Sequence, residues 1–413
     1  MAEPARKQTH PALEPVRAAA TATYAAFIGC GFGPATYLSR LAEVREHLQV
    51  STGRLGMILL ATAAGALCFR PLAGRVIRRL GQRRTVAVCS VVAGAGQVLL
   101  GAGDVAGVPV VVLGLAVVGF AGAGWDVAMN VQGTRVEREF GRSVMPRFHA
   151  AYSMGTVGGA STGAVMVLAG VPVAVHLLVT GVLTAVVMPL AVRRFLPDAV
   201  HEPESPADQR GGHRPQSFWR EPRTVLIGLF VLAFGFGEGA GSDWISVSVV
   251  DGYHGQAVVG TAAFATFLIS TTVTRWFGAG LLDRFGRVAV LRASSAVAAT
   301  GLVLFVSGLG LPTAFAGVAL WGVGIAFGYP VGMSAAADDP RYAAQRVAVA
   351  STIGKVSSFA GPPLLGLLGD RLGILHTLIV VAALQLVACA IAAVTRPPAV
   401  APATAPAPAL KSA

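Results

Sequence analysis

The sequence predicts an all-α membrane protein with twelve transmembrane helices in two pseudo-symmetric six-helix bundles. Three observations carry that prediction: an apolar composition, twelve apolar segments of spanning length, and a repeat relating the two halves of the chain. Of 413 residues, 54% are hydrophobic and 13% charged, and the mean hydropathy is +0.66. Soluble domains carry about 25% charged residues, so the polar side chains here are too few to cover a soluble protein of this size. A bilayer tolerates that deficit because helices crossing it satisfy their own backbone groups. The 51 glycines suit close approach between membrane helices. Cys30, Cys68, Cys89 and Cys389 all fall in apolar segments without metal-ligand spacing and read as small buried hydrophobes.

A span needs about 20 predominantly apolar residues. In order, the segments are 17–38, 54–74, 85–103, 108–131, 146–168, 171–193, 223–249, 257–281, 288–308, 312–334, 344–368 and 373–395. Residues 1–16 read as a polar cytoplasmic tail without a cleavable leader. Residues 17–195 form a first bundle, 196–222 a cytoplasmic linker, 223–396 a second bundle, and 397–413 a disordered Pro/Ala-rich tail. The net charge of +12 comes from short basic runs between the apolar segments, so it marks topology rather than a nucleic-acid partner. With the N-terminus inside, one side collects nearly all loop Arg and Lys, including Arg6, Lys7, Arg142, Arg210, Arg214, Arg341 and Lys411. The other side holds Arg40, Arg45, Arg54 and Arg371. Both termini are therefore expected in the cytoplasm. Arg70, Arg275 and Lys355 lie within spans.

The halves echo each other at a spacing of about 205 residues. Gly31-Phe32-Gly33 recurs as Gly235-Phe236-Gly237, and Arg70 with Arg79-Leu80-Gly81 recurs as Arg275 with Arg284-Phe285-Gly286. Gly119 and Met129 match Gly324 and Met333, Trp125-Asp126 matches Tyr329-Pro330, and Met154–Val157 matches Ile353–Val356. Two parallel six-helix repeats are a transporter plan whose substrate site lies near the midplane between them.

Gly278-Ala279-Gly280-Leu281-Leu282-Asp283-Arg284-Phe285-Gly286-Arg287 resembles the loop signature G-x-x-x-D-R-x-G-R of the major facilitator superfamily, with Ala279 at its first glycine. The earlier copy keeps Gly74, Arg79 and Gly81 but has Arg78 in place of the family's Asp. The resemblance implies that these loops gate the cytoplasmic side through Gly74, Arg79, Gly81, Asp283, Arg284, Gly286 and Arg287. Arg78 puts the first-half latch in doubt. A narrower likeness rests on Asn130-x-x-Gly133-x-x-x-Glu137, on Phe148–Gly155, and on Glu238-Gly239-x-x-x-Asp243-Trp244. These are similar to a bacterial inner-membrane branch of fucose-permease-like sugar transporters. The family's usual state implies a monomer, with spans 1, 4, 7 and 10 lining a central cavity.

Ionisable groups are costly in a membrane and point to function. Asp126 and Asn130 share one face of span 4. Asp126 is either a protonatable carboxylate or a structural partner of Arg70 or Arg79. Glu238 sits among Gly237, Gly239 and Gly241, where a helix can open at the midplane. It either couples and binds or forms a buried ion pair, most naturally with Lys355. Asp243, nearer the outer end, suits a gating or a solvated role. His149, Tyr152, Ser153 and Thr156 share a face of span 5, and Ser351, Thr352, Lys355 and Ser358 a face of span 11. Such stripes fit a hydroxyl-rich solute or plain interhelical hydrogen bonding. His149 either relays protons with Asp126 or caps the start of span 5. Lys355 pairs, binds an anionic group, or stays neutral. Trp125, Tyr152, Trp244, Trp321 and Tyr329 are candidate stacking surfaces or interfacial anchors, and Pro330 should kink span 10.

No P-loop, metal-ligand cluster or nucleophile elbow appears, so no cofactor, no metal and no enzymatic chemistry is expected. The expectation is a secondary active permease moving a small solute, a sugar or other hydroxylated compound, by alternating access coupled to protons. The alternative is an antiporter exporting amphipathic drugs or metabolites. It is favoured less because span 5 lacks a Gly-Pro motif, while Gly361-Pro362 occurs in span 11.

Overall fold

The computed structural model describes residues 13–141, 144–197, 218–339 and 342–397. The first bundle runs α1 (Leu13–Leu38), α2 (Leu41–Leu48), α3 (Thr52–Ala106), α4 (Val108–Phe140), α5 (Met145–Leu168) and α6 (Val173–Ala191). The second runs α7 (Pro222–Tyr253), α8 (Ala257–Phe277), α9 (Ala279–Phe285), α10 (Arg287–Val306), α11 (Leu311–Ile325), α12 (Gly328–Ala336), α13 (Ala343–Leu372), α14 (Ile374–Thr377) and α15 (Ile379–Ile391). The tails, most of the linker, and Arg142 and Arg341 lie outside the described residues.

With 55 residues, α3 is too long for one crossing of a hydrocarbon core of about 30 Å. It is two spans meeting at Gly81, where φ is 75° and ψ 169°. A side chain at that φ clashes with the backbone, so glycine is the residue that fits. Gly286 repeats the turn with φ 76° and ψ 158°. The repeat read from the sequence is thus also a repeat of backbone conformation, and it extends to positive-φ Gly107 with Gly310 and Gly170 with Gly373.

The described residues hold twelve spans: α1, the two halves of α3, α4, α5, α6, α7, α8, α10, α11 with α12, α13, and α14 with α15. Of these, α1, α5 and α13 fall outside the segments that are apolar enough to cross a membrane on hydropathy alone. At 26, 24 and 30 residues they are long enough. Their Gly, Ser and Thr dilute the signal; Gly31, Gly155 and Gly159, for instance, let α1 and α5 pack backbone to backbone. The outer face of α6 is the opposite case. Val175, Leu178, Val179, Val182, Leu183 and Val186 form an exposed apolar stripe that protein leaves bare and lipid can cover.

Three expectations need correction. The loop after span 1 contains α2, which the apolar reading passed over because its Arg and Glu lower hydropathy. Span 8 ends at Phe277 rather than 281, and the signature loop folds as the separate α9. Cys68 is exposed and Cys389 half-buried rather than buried, the Cys389 thiol reaching the Arg292 carbonyl of α10. The kink expected from Pro330 is a full break, with α11 ending at Ile325 and α12 starting at Gly328. Proline has no N–H to offer the carbonyl four residues back, that of Ala326.

The end holding the start of α1 is called the terminal end, and the opposite end distal. At the distal end one apolar core runs through both bundles, from Tyr37, Leu55 and Leu59 to Trp244, Phe264 and Leu375. At the terminal end the core divides. One part lies within the first bundle around Phe27, Phe69 and Phe148, the other within the second around Ile227, Val231 and Ala335.

Candidate functional site: a cleft between the bundles

Polar groups repeat the asymmetry of the core. Near the end of α13, Asp370 reaches across to the start of α3, accepting hydrogen bonds from Thr52 Oγ1 at 2.7 Å, Ser51 Oγ at 2.9 Å and the Gly53 N–H at 2.9 Å. Burial pushes its carboxyl up, but the hydrogen bonds from Gly53, Thr52 and Ser51 outweigh it and hold the group below its ordinary value. Arg45 of α2 pairs with Asp251 of α7, and Thr261 Oγ1 donates to the Ser39 carbonyl at 2.8 Å. Helix packing allows this closeness. A Cβ on Gly56 of α3 would run into the Pro362 carbonyl of α13.

At the terminal end the ion pairs stay inside one bundle. Arg223 and Arg287 both hold Asp338 at 2.8 Å, and Arg346 holds Glu221 at 2.8 Å. Burial pushes the Glu221 carboxyl up, but Arg346, Thr224 and Arg223 together hold it below its ordinary value. Among the described residues no ion pair joins the bundles at this end. Gly74, Arg79, Asp283, Arg284 and Gly286 are exposed, Gly81 half-buried, and Arg287 turned to Asp338, so the signature loops do not bridge the halves in this conformation. The molecule is closed at its distal end and open at its terminal end.

The cleft contains three adjoining chambers. The first, about 310 Å³, lies between α1, α3, α7 and α13. The second, about 390 Å³, lies within the first bundle and shares Tyr37, Thr62 and Ala66 with it. The third, about 120 Å³, lies between α5 and α8.

Glu238 lines the third chamber and pairs with Arg275 Nη2 at 2.9 Å. The expected partner, Lys355, is thereby corrected. Arg275 lies on α8 in the same bundle, and its Nε also donates to the Ala326 carbonyl at 2.9 Å. That is the carbonyl freed by Pro330. One guanidinium therefore satisfies both the helix break and the cleft carboxylate.

Asp126 is exposed to the second chamber and accepts from Asn130 Nδ2 at 3.1 Å, the i, i+4 relation expected. It forms no ion pair with Arg70 or Arg79 among the described residues; Arg79 lies at the terminal surface. His149 lines the same chamber, edge-on to Phe27 with ring centroids 5.3 Å apart, and makes no hydrogen bond to Asp126. Nor does His149 cap span 5. Glu137 does so, accepting the Val144 and Met145 N–H groups at 2.7 Å each. Tyr152 and Trp125 line the second chamber. Trp125 is buried, and neither its Nε1 nor Gln97 Oε1 has a protein partner.

Asp243, Trp244, Lys355 and Ser358 line the first chamber, so Asp243 faces the cleft. Ser351 and Thr352 do not line it. The hydroxyls of Ser153, Thr156 and Thr352 return to carbonyls of their own helices. Tyr329 packs on the second bundle's terminal core. Trp321 is core, packed against Phe267 and Phe305. Sequence reasoning missed Arg70, Arg275, Tyr37 and Gln97 as cleft residues. For the two arginines the signal was available, since both are in-span cations at the repeat spacing.

A family profile described as Major Facilitator Superfamily matches residues 18–362. An uncharacterized transporter of Sinorhizobium fredii, y4wD, is 32% identical over 355 residues, covering 84% of this chain and 90% of that protein. Among solved structures, the nucleoside transporter NupG superposes with TM-score 0.70 at 14% identity, covering 92% of this chain and 99% of that one. The E. coli fucose:proton symporter FucP superposes with TM-score 0.61 at 13% identity, covering 94% and 100%. With its two six-helix bundles, repeated signature loops and central cleft, the chain belongs to the major facilitator superfamily of membrane transporters.

Proposed function

We propose that this protein is a secondary active transporter of the bacterial cytoplasmic membrane that moves a small hydroxylated solute by alternating access, coupled to protons. The distribution of loop arginines supports cytoplasmic termini, which makes the terminal opening the inward one. The observation that carries the reading is the cleft itself. It is sealed at one end by bonds between bundles, open at the other, and lined midway by the carboxylates Asp126 and Glu238. Buried donors and acceptors without protein partners, Trp125 Nε1 and Gln97 Oε1, suit a ligand bearing hydroxyls. Protonation of Glu238 weakens its hold on Arg275 in the chamber that α7 and α8 share with α5 of the first bundle, and so gives a step at which proton binding biases the packing of the two bundles.

The test is flux into proteoliposomes across sugars, polyols and lipophilic cations, at pH 6 and pH 8. We expect uptake of a hydroxylated solute driven by an imposed proton gradient. Glu238→Gln is expected to abolish gradient-driven accumulation while leaving exchange of the solute. Transport confined to lipophilic cations sinks this reading and favours the drug or metabolite antiporter.

A further inference from the structure

The charges in the cleft do not all find partners. Glu238 and Arg275 neutralise each other, and Asp126 has its hydrogen bond from Asn130. Arg70 from the first bundle and Lys355 from the second both line the first chamber. Among the described residues neither makes a hydrogen bond or an ion pair, yet both face the same chamber. Two like charges in a cleft walled by protein repel more than they would in water. Arg70 is exposed to the open cleft and Lys355 half-buried in it, so a ligand entering the chamber can reach both. The other charged groups facing them are Asp243 in the same chamber and Asp126 in the next, and neither is in ion-pair contact.

We infer that the transported solute carries a carboxylate, and that Arg70 and Lys355 clamp it from opposite bundles. This inference rests on the transporter reading above and names its substrate class. A monoanion suits the site better than a dianionic phosphate, because Asp243 and Asp126 already place negative charge beside the two cations. The rest of the chamber fits the uncharged part of a hydroxy acid. Tyr37, Thr62 and Ser358 offer hydroxyls, and Phe236 and Trp244 offer apolar faces. The clamp also links binding to motion. In the empty cleft, repulsion between Arg70 and Lys355 opposes approach of the bundles; a carboxylate between them turns it into attraction.

The experiment is binding to the purified full-length protein, read by thermal stabilisation and calorimetry at constant ionic strength. The probes are glycerate, gluconate and glucuronate beside glycerol, sorbitol and glucose. At least one acid is expected to bind about tenfold or more tightly than its neutral counterpart, with a similar loss in Arg70→Gln and in Lys355→Gln, the scale of one charged hydrogen bond. Lys355→Arg, which keeps the charge, is expected to retain binding and serves as the folding control. If the neutral compounds bind as well as the acids, or no acid binds the unaltered protein, or both Gln variants keep full affinity, the clamp is wrong. Failure of the transporter reading looks different, since then neither class of solute crosses proteoliposomes.

Discussion

Arg275 shows how much one side chain can settle. It holds Glu238 with one nitrogen and the Ala326 carbonyl with another, and that carbonyl is free because Pro330 cannot donate to it. Lysine carries the same charge but lacks the fork needed for both tasks. Arg275→Lys is therefore expected to lower the melting temperature and to impair transport. Adding Pro330→Ala returns an N–H donor to Ala326 and is expected to recover part of the stability, not the transport. Thermal melts and proteoliposome flux on the single and double variants check this. Recovery of flux along with stability would show that Arg275 matters only to the helix break.

Among the elements, α3 and α13 set the conformation. Their distal halves meet without side chains between them at Gly56 and Pro362, so the distal seal depends on that closeness. Gly56→Leu is expected to wedge the distal end open. Spin labels at Val105 and Leu309, which are 84% and 76% exposed on different bundles, should report a longer distance in that variant. The turn at Gly81 is a separate matter of backbone. Gly81→Ala is expected to destabilise by about 1–2 kcal/mol through its positive φ, with the same cost at Gly286. Melting curves of the two variants should shift alike if the repeat is mechanical as well as sequential.

At the scale of the whole molecule, the seal joining the bundles at the distal end has a defined pH response. Asp370 is held below its ordinary value by bonds made only when that end is closed. A depressed carboxylate stabilises the closed form at full strength above its ordinary value, and that contribution is lost as pH falls through the lowered one. Between pH 8 and pH 5 the label distance is therefore expected to be unaffected by this residue. Asp370→Asn, which removes the charge at every pH, is expected to open the distal end across the same range. A distance that changes between pH 8 and pH 5 in the unaltered protein but not in Glu238→Gln would assign the response to the cleft instead.

Composition, span lengths and the repeat of Gly81 with Gly286 made the helical membrane fold legible from sequence, because bilayer thickness and backbone satisfaction constrain every helix on its own. The same logic flagged Glu238, Asp126 and Lys355, since charge in an apolar segment is visible one residue at a time. Pairings were not legible. Arg275 rather than Lys355 holds Glu238, Glu137 rather than His149 caps α5, and Asp370 caps α3 from the other bundle. Each depends on which faces of distant helices meet, and periodicity within a helix carries no information about its neighbour. The closed distal end and open terminal end were likewise decided only by tertiary structure, because one sequence must support both conformations for a transporter to work.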